Sequence, residues 1–199
     1  MRAIDFYYGI GSRYSYLAQS QVAALERDFD VAVRWFPLRS ADLIRAAGHT
    51  PFEGPVASRQ YAPAYRSADA ARWARLYGIP YAEPDWAAID FGRVNIAAVA
   101  AAAQADPADY SRLLFQRAFG PGAASFDDAA LAGMGREAGL DGERLVAEID
   151  APETQARHRA ALEAALSVGV FGVPSFVIAG EVFWGNDRIV LLRHHLAGG

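Results

Sequence analysis

Two short stretches, at opposite ends of the chain, carry residue types able to bind and activate a small ligand. Near the C-terminus, Gly169-Val170-Phe171-Gly172-Val173-Pro174-Ser175-Phe176-Val177-Ile178 enters an apolar run through an X-Pro step. Proline has no N–H to give to a central ladder, so Pro174 belongs at the mouth of a strand. Tight turns of this kind are where cis X-Pro bonds concentrate, and such a turn leaves the backbone N–H and C=O of Val173 free to face a ligand. Trp184-Gly185-Asn186-Asp187-Arg188 follows shortly after. Asn186 and Asp187 either cap the last helix or bind the α-amino and α-carboxylate groups of an amino-acid-like ligand. Near the N-terminus, Gly9-Ile10-Gly11-Ser12-Arg13-Tyr14-Ser15 places a serine where a helix begins. Ser12 has two readings: an N-cap satisfying a free backbone N–H, or a hydroxyl that donates to a bound anion and helps hold a thiolate.

Several chemistries are excluded. The chain has no cysteine, which removes disulfides, thiolate zinc sites and Cys-based catalysis, so any thiol must be borrowed from a ligand. Gly9-Ile10-Gly11 is a poor dinucleotide fingerprint, because Tyr14 occupies the third glycine position and would obstruct helix–strand packing. A nucleophile elbow would likewise need glycine at 14. His49, His158, His194 and His195 show no H-x-x-x-H spacing, so no metal site is expected. Tyr65, Asp69, Arg72 and Trp73 share one helix face and read as a packed, salt-bridged surface, and Phe171 reads as a core aromatic. A formal net charge of −4 offers no basic footprint for nucleic acid or an anionic membrane. No apolar run approaches the ~18 residues of a membrane span, and Met1-Arg2-Ala3-Ile4-Asp5 is no signal h-region, so a cytoplasmic protein is expected.

The elements that hold these stretches can be read from periodicity. Residues 3–8 form a first strand, residues 13–27 an amphipathic helix behind Ser12, and residues 31–38 a second strand ended by Pro37. From 41 to about 167 only helical windows appear: 58–77, 91–105, 107–119, 127–138, 141–149 and 152–166, punctuated by glycine and proline. Asp150-Ala151-Pro152-Glu153 reads as a capping box. Residues 175–178 and 182–184 form a hairpin, and Asp187 opens a last helix through Leu196. The expected fold is α/β and thioredoxin-like: a four-stranded mixed sheet built from residues 1–40 and 168–199, with a large all-helical domain, 41–167, inserted after the second strand. In thioredoxin-like proteins the turn at 12–15 carries Cys-x-x-Cys; here it is Ser12-Arg13-Tyr14-Ser15, so disulfide exchange is lost.

The sequence resembles the 2-hydroxychromene-2-carboxylate isomerases, relatives of kappa-class glutathione transferases within the DsbA-like thioredoxin superfamily. The resemblance rests on Asp5-Phe6-Tyr7 through Ala18, on Asp69-Ala70-Ala71-Arg72-Trp73-Ala74 with Tyr77-Gly78-Ile79-Pro80, and on Gly169 through Phe176 with Phe183 through Arg188. It implies a homodimer that binds glutathione, with Ser12 beside the sulfur, Val173 pairing its backbone with the tripeptide's cysteine, and Trp184, Gly185, Asn186 and Asp187 lining the γ-glutamyl end. The implied chemistry is reversible addition of the thiolate to a conjugated aromatic keto acid, opening of a hemiketal ring, bond rotation and release of the thiol. The sequence departs from the family in Arg13, where proline is usual, in His49-Thr50, where a substrate-contacting amide is usual, and in Ala62, where lysine is common. A kappa-like transferase and a non-catalytic DsbA-like peptide-binding module are the rival readings.

Overall fold

Alternation in the aromatic-rich N-terminal segment produces strand β1, Arg2–Tyr8, with Ile4, Phe6 and Tyr8 fully buried on one face and Tyr7 on the other. The computed structural model describes residues 2–48, 62–122 and 125–199. Strand β2, Val31–Pro37, pairs parallel to β1 with Phe6 opposite Trp35 and Tyr8 opposite Pro37. Strand β3, Ser175–Ile178, runs antiparallel to β1, and β4, Glu181–Trp184, runs antiparallel to β3. The sheet order is β2-β1-β3-β4, so the two ends of the chain build one mixed sheet, as the periodicity predicts. Between β2 and β3 the described residues contain helices and no strand.

Each face of the sheet has its own apolar layer, as the twofold period of side chains requires. On one face Phe6 stacks on Phe176 at 4.7 Å and meets Trp35 edge-on at 5.1 Å. Helices α1, Arg13–Gln19, and α2, Val22–Phe29, pack on that face, as do α5, Phe91–Ala101, and α6, Ala108–Phe119, of the helical insertion. The layer is continuous from sheet to insertion: Tyr8 packs against Phe115 at 5.8 Å, and its buried hydroxyl is 2.6 Å from Ser111 Oγ. On the opposite face Tyr7, Leu38 and Val177 pack with Leu43 and Ala165. Those last two come from α3, Ser40–Ala46, and α9, Pro152–Ser167.

Four local expectations are corrected. The helix expected over 13–27 is two helices: Ser20 Oγ donates to Leu17 O at 2.7 Å and the Gln21 N–H reaches back three residues to Ala18 O at 3.0 Å, which tightens and breaks the turn. α3 was not expected, because its seven residues are too few to show a period. The capping box at 150–153 does not form: Ala151 is the N-cap of α9, and Asp150 instead pairs with Arg93 at 2.6 Å. The last helix, α10, spans Ile189–Leu196 and is preceded by a 3-10 turn, Asn186–Arg188. The remaining helices, α4 (Pro63–Tyr77), α7 (Asp128–Glu137) and α8 (Gly142–Glu148), lie within the expected windows. The expected start of α4 at residue 58 falls outside the described residues.

Candidate active site

Ser12 is the N-cap of α1: its backbone is extended, and its Oγ accepts from the Ser15 N–H at 3.2 Å. Capping and ligand contact are compatible here, because accepting one N–H leaves the hydroxyl proton free to donate. Ser15 is different. It is fully buried and its Oγ accepts from the Gly9 N–H at 3.4 Å, so the second serine of Ser12-Arg13-Tyr14-Ser15 is a structural lock.

Arg13 turns away from solvent and is 8% exposed. Its Nη1 lies 3.1 Å from Glu83 Oε1, and its guanidinium stands 5.0 Å over the Trp86 ring. Glu83 also accepts from Trp86 Nε1 at 3.0 Å and from the Tyr81 hydroxyl. Burial and the neighbouring Glu83 carboxylate both push the Tyr81 phenol up. The charge that replaces the family's proline is therefore matched by a carboxylate of the insertion. Tyr14, on the same helical turn, donates to Asp69 Oδ2 of α4 at 3.0 Å, and burial together with that carboxylate lifts its pKa to about 12. Asp69 thus reaches across to α1, and Tyr65 of the same helix is exposed, so the expected salt-bridged face of α4 is a contact surface for α1.

The Val173-Pro174 peptide is cis, as expected. Pairing of Tyr7 with Ser175 puts this turn at the C-terminal end of β1, the end from which the chain passes through Gly9 to Ser12. Among the described residues the N–H and C=O of Val173 have no hydrogen-bond partner, whereas Pro174 O accepts from the Gly185 N–H at 2.9 Å. That bond ties the 173–174 turn to the 184–187 segment. Gly185 has φ 114, and a Cβ there would stand 2.5 Å from Asp187 Oδ1, so only glycine fits. Trp184 is 47% exposed and packs at 4.9 Å against Phe171, which is also exposed and so is not the core aromatic expected.

Asn186 and Asp187 do not cap α10: neither side chain bonds to a free N–H of the helix start. Asn186 is buried, and neither its Nδ2 nor its Oδ1 finds a partner of hydrogen-bond geometry. The nearby polar group is the Tyr77 hydroxyl of α4, whose pKa rises to about 12 through burial, with Asn186 pulling it back down. Asp187 is half-exposed and sits 3.2 Å from Arg188 Nη1. α1 packs against both α4 and the 3-10 turn, so Ser12 and the 184–187 segment border the same region. His49 and Thr50 lie outside the described residues. No group of metal-ligating side chains is found among the described residues.

Two residues important to this geometry were missed from sequence. Asn95 accepts the Ile10 N–H at 2.8 Å, and its signal was available: one amide in an otherwise apolar, alanine-rich helix. Glu83 carried no signal, since an acid between prolines in a loop reads as solvated.

A DsbA-like thioredoxin domain model matches residues 3–197, and the chain belongs to that class. The 2-hydroxychromene-2-carboxylate isomerase of Sphingobium xenophagum is 32% identical over 198 residues, covering 98% of each chain. That of Pseudomonas putida is 30% identical, covering 96% of this chain and 92% of its own. A solved 2-hydroxychromene-2-carboxylate isomerase structure superposes with a TM-score of 0.83 at 28% identity, covering 98% of this chain and 94% of the other. The chain belongs to the 2-hydroxychromene-2-carboxylate isomerase family, and it is an enzyme of the isomerase class.

Proposed function

We propose that this isomerase is glutathione-dependent and acts on a conjugated aromatic keto acid, interconverting a cyclic hemiketal and its ring-opened benzylidenepyruvate form in aromatic catabolism. The observation that carries this reading is a set of polar groups left open at one end of the sheet. These are the N–H and C=O of Val173, on a turn that the Gly185–Pro174 bond ties to the 184–187 segment, and the Ser12 hydroxyl proton. An unpaired backbone N–H and C=O beside a strand end is a ready edge for an extended peptide, which offers the matching acceptor and donor.

The residues fit the tripeptide's chemistry. Val173 can pair as a strand would with an extended peptide, Asn186 and Asp187 can hold the α-amino and α-carboxylate groups, and Trp184 can cover the aliphatic stem. Ser12 keeps a proton to donate to a sulfur anion, and a donor there favours the charged form. When bound, glutathione supplies a thiolate whose reversible addition to a conjugated C=C lets a blocked bond rotate as a single bond. Because the chain has no cysteine, no residue of its own competes for that role. The family resemblance further supports a cytoplasmic homodimer, checked by light scattering at twice the 21.5 kDa chain mass.

Calorimetric titration with glutathione is the test. Millimolar glutathione giving no heat with wild type would sink the proposal. Asp187→Ala is expected to weaken affinity about tenfold, the loss of one charge-assisted contact. Ser12→Ala is expected to spare affinity and raise the pKa of the bound thiol by about one unit, followed by thiolate absorbance against pH. Progress curves separate the nearest alternative: glutathione persists through an isomerisation and is consumed by a transferase.

A further inference from the structure

The turn that presents Ser12 is gripped from outside the sheet. Ile10 is fully buried, and its N–H donates to Asn95 Oδ1 at 2.8 Å. Asn95 is 4% exposed, and its Nδ2 donates to Phe91 O of its own helix at 2.5 Å. That second bond presents the amide oxygen, not its nitrogen, to Ile10. One residue further on, a Cβ at Gly11 would lie 2.9 Å from the Phe91 ring, so the turn rests directly on the start of α5. The same turn is closed on its other side by Ser12 N–H to Gly9 O at 3.0 Å and Gly9 N–H to Ser15 Oγ at 3.4 Å.

Nothing about α5 itself calls for an asparagine. Its neighbours Val94, Ile96, Ala97 and Ala98 are all buried. An apolar residue would suit that packing and cost the helix less than a buried amide. The amide is explained by the turn: without it, the Ile10 N–H would be a buried donor with no partner. We propose that Asn95 is the residue that positions Ser12, by holding Ile10 and so fixing the direction of the Ser12 hydroxyl. A hydroxyl aimed at a reacting sulfur must be placed to within a fraction of an ångström, which a free glycine-flanked turn cannot ensure.

The parts of the test that read bound thiol or the glutathione KM rest on the glutathione reading; amide exchange at Ile10 does not. In Asn95→Leu, hydrogen exchange at the Ile10 amide is expected to quicken at least about tenfold while core amides of β1 keep their protection. Turnover of 2-hydroxychromene-2-carboxylate is expected to fall about ten- to a hundredfold in kcat, with KM for glutathione within about threefold of wild type. The bound thiol pKa is expected to move up, toward that of Ser12→Ala. A merely structural role would lower thermal stability and leave that titration where it was. A folded Asn95→Leu with wild-type Ile10 exchange, kcat and thiol titration overturns the proposal. Should wild type bind no glutathione, the functional reading fails alone, and Ile10 exchange decides the role of Asn95. Should Asn95→Leu not fold, Gly11→Ala pushes the same turn off Phe91; loss of kcat with retained glutathione KM supports the proposal, and wild-type kcat overturns it.

Discussion

Ser12 and Arg13 are adjacent in sequence yet have opposite fates. Ser12 stays partly exposed with a proton to give, while Arg13 is folded into the Glu83–Trp86 contact. A buried guanidinium deprived of its carboxylate is an uncompensated charge, so Glu83→Gln is expected to cost about 1–3 kcal/mol, less than a fully buried pair because Glu83 is partly exposed. Chemical denaturation checks it, and a cycle with Arg13→Met assigns the loss to the pair: the double variant should recover much of it. At this scale the sequence was informative where a residue type has few uses. Val173-Pro174 and Ser12 were legible, because a proline at a strand mouth and a serine at a helix start each have a narrow geometric meaning, whereas the positive φ of Gly185 appears only in the fold. Glu83 was not, since a carboxylate's partner depends on which loop folds beside it.

Elements set the direction of these side chains. α3 and α9 close the second face of the sheet and are joined by a buried imidazole: His158 Nε2 accepts from the Arg39 N–H at 3.2 Å, while Nδ1 lies 3.9 Å from Asp42 Oδ2. Burial pushes the His158 pKa below its usual 6.5, and Asp42 offsets this only in part. A depressed histidine pKa means that the unfolded chain takes the proton first. Stability is therefore full above about pH 6.5, falls as pH drops through that value, and stops falling once the folded protein is also protonated. His158→Gln keeps an acceptor for Arg39 without the titration, so its melting temperature should decline less than that of wild type between pH 7.5 and 5.5. An equal decline would assign the acid sensitivity elsewhere. The break between α1 and α2 and the existence of α3 were hidden from periodicity, because one serine hydroxyl and a seven-residue span decide them.

For the whole molecule, the first apolar layer runs without interruption from Phe6, Trp35 and Phe176 of the sheet to Tyr110, Phe115 and Phe119 of the insertion. A shared core couples the unfolding of what it joins. Phe115→Ala is expected to lose about 3–5 kcal/mol, with far-ultraviolet circular dichroism and tryptophan fluorescence reporting one coincident transition. Separate transitions would show that sheet and insertion unfold independently despite that layer. Among the described residues no helix is long and apolar enough to cross a membrane.

The sequence alone determined the strand order along the chain, the long helical stretch between the second and third strands, the mixed four-stranded sheet, the cis turn at Val173-Pro174 and the absence of any thiol in the chain. Each follows from local chemistry: side-chain period, a missing N–H, a residue type that is simply not there. Only the tertiary structure decided that Asn186 is buried beside the Tyr77 hydroxyl of α4, that Arg13 is matched by Glu83, and that Asn95 of α5 holds the turn before Ser12. Those pairings join residues 70 to 109 positions apart. Local sequence does not encode such distances; they are set when α5 and the loop before it pack against the end of β1.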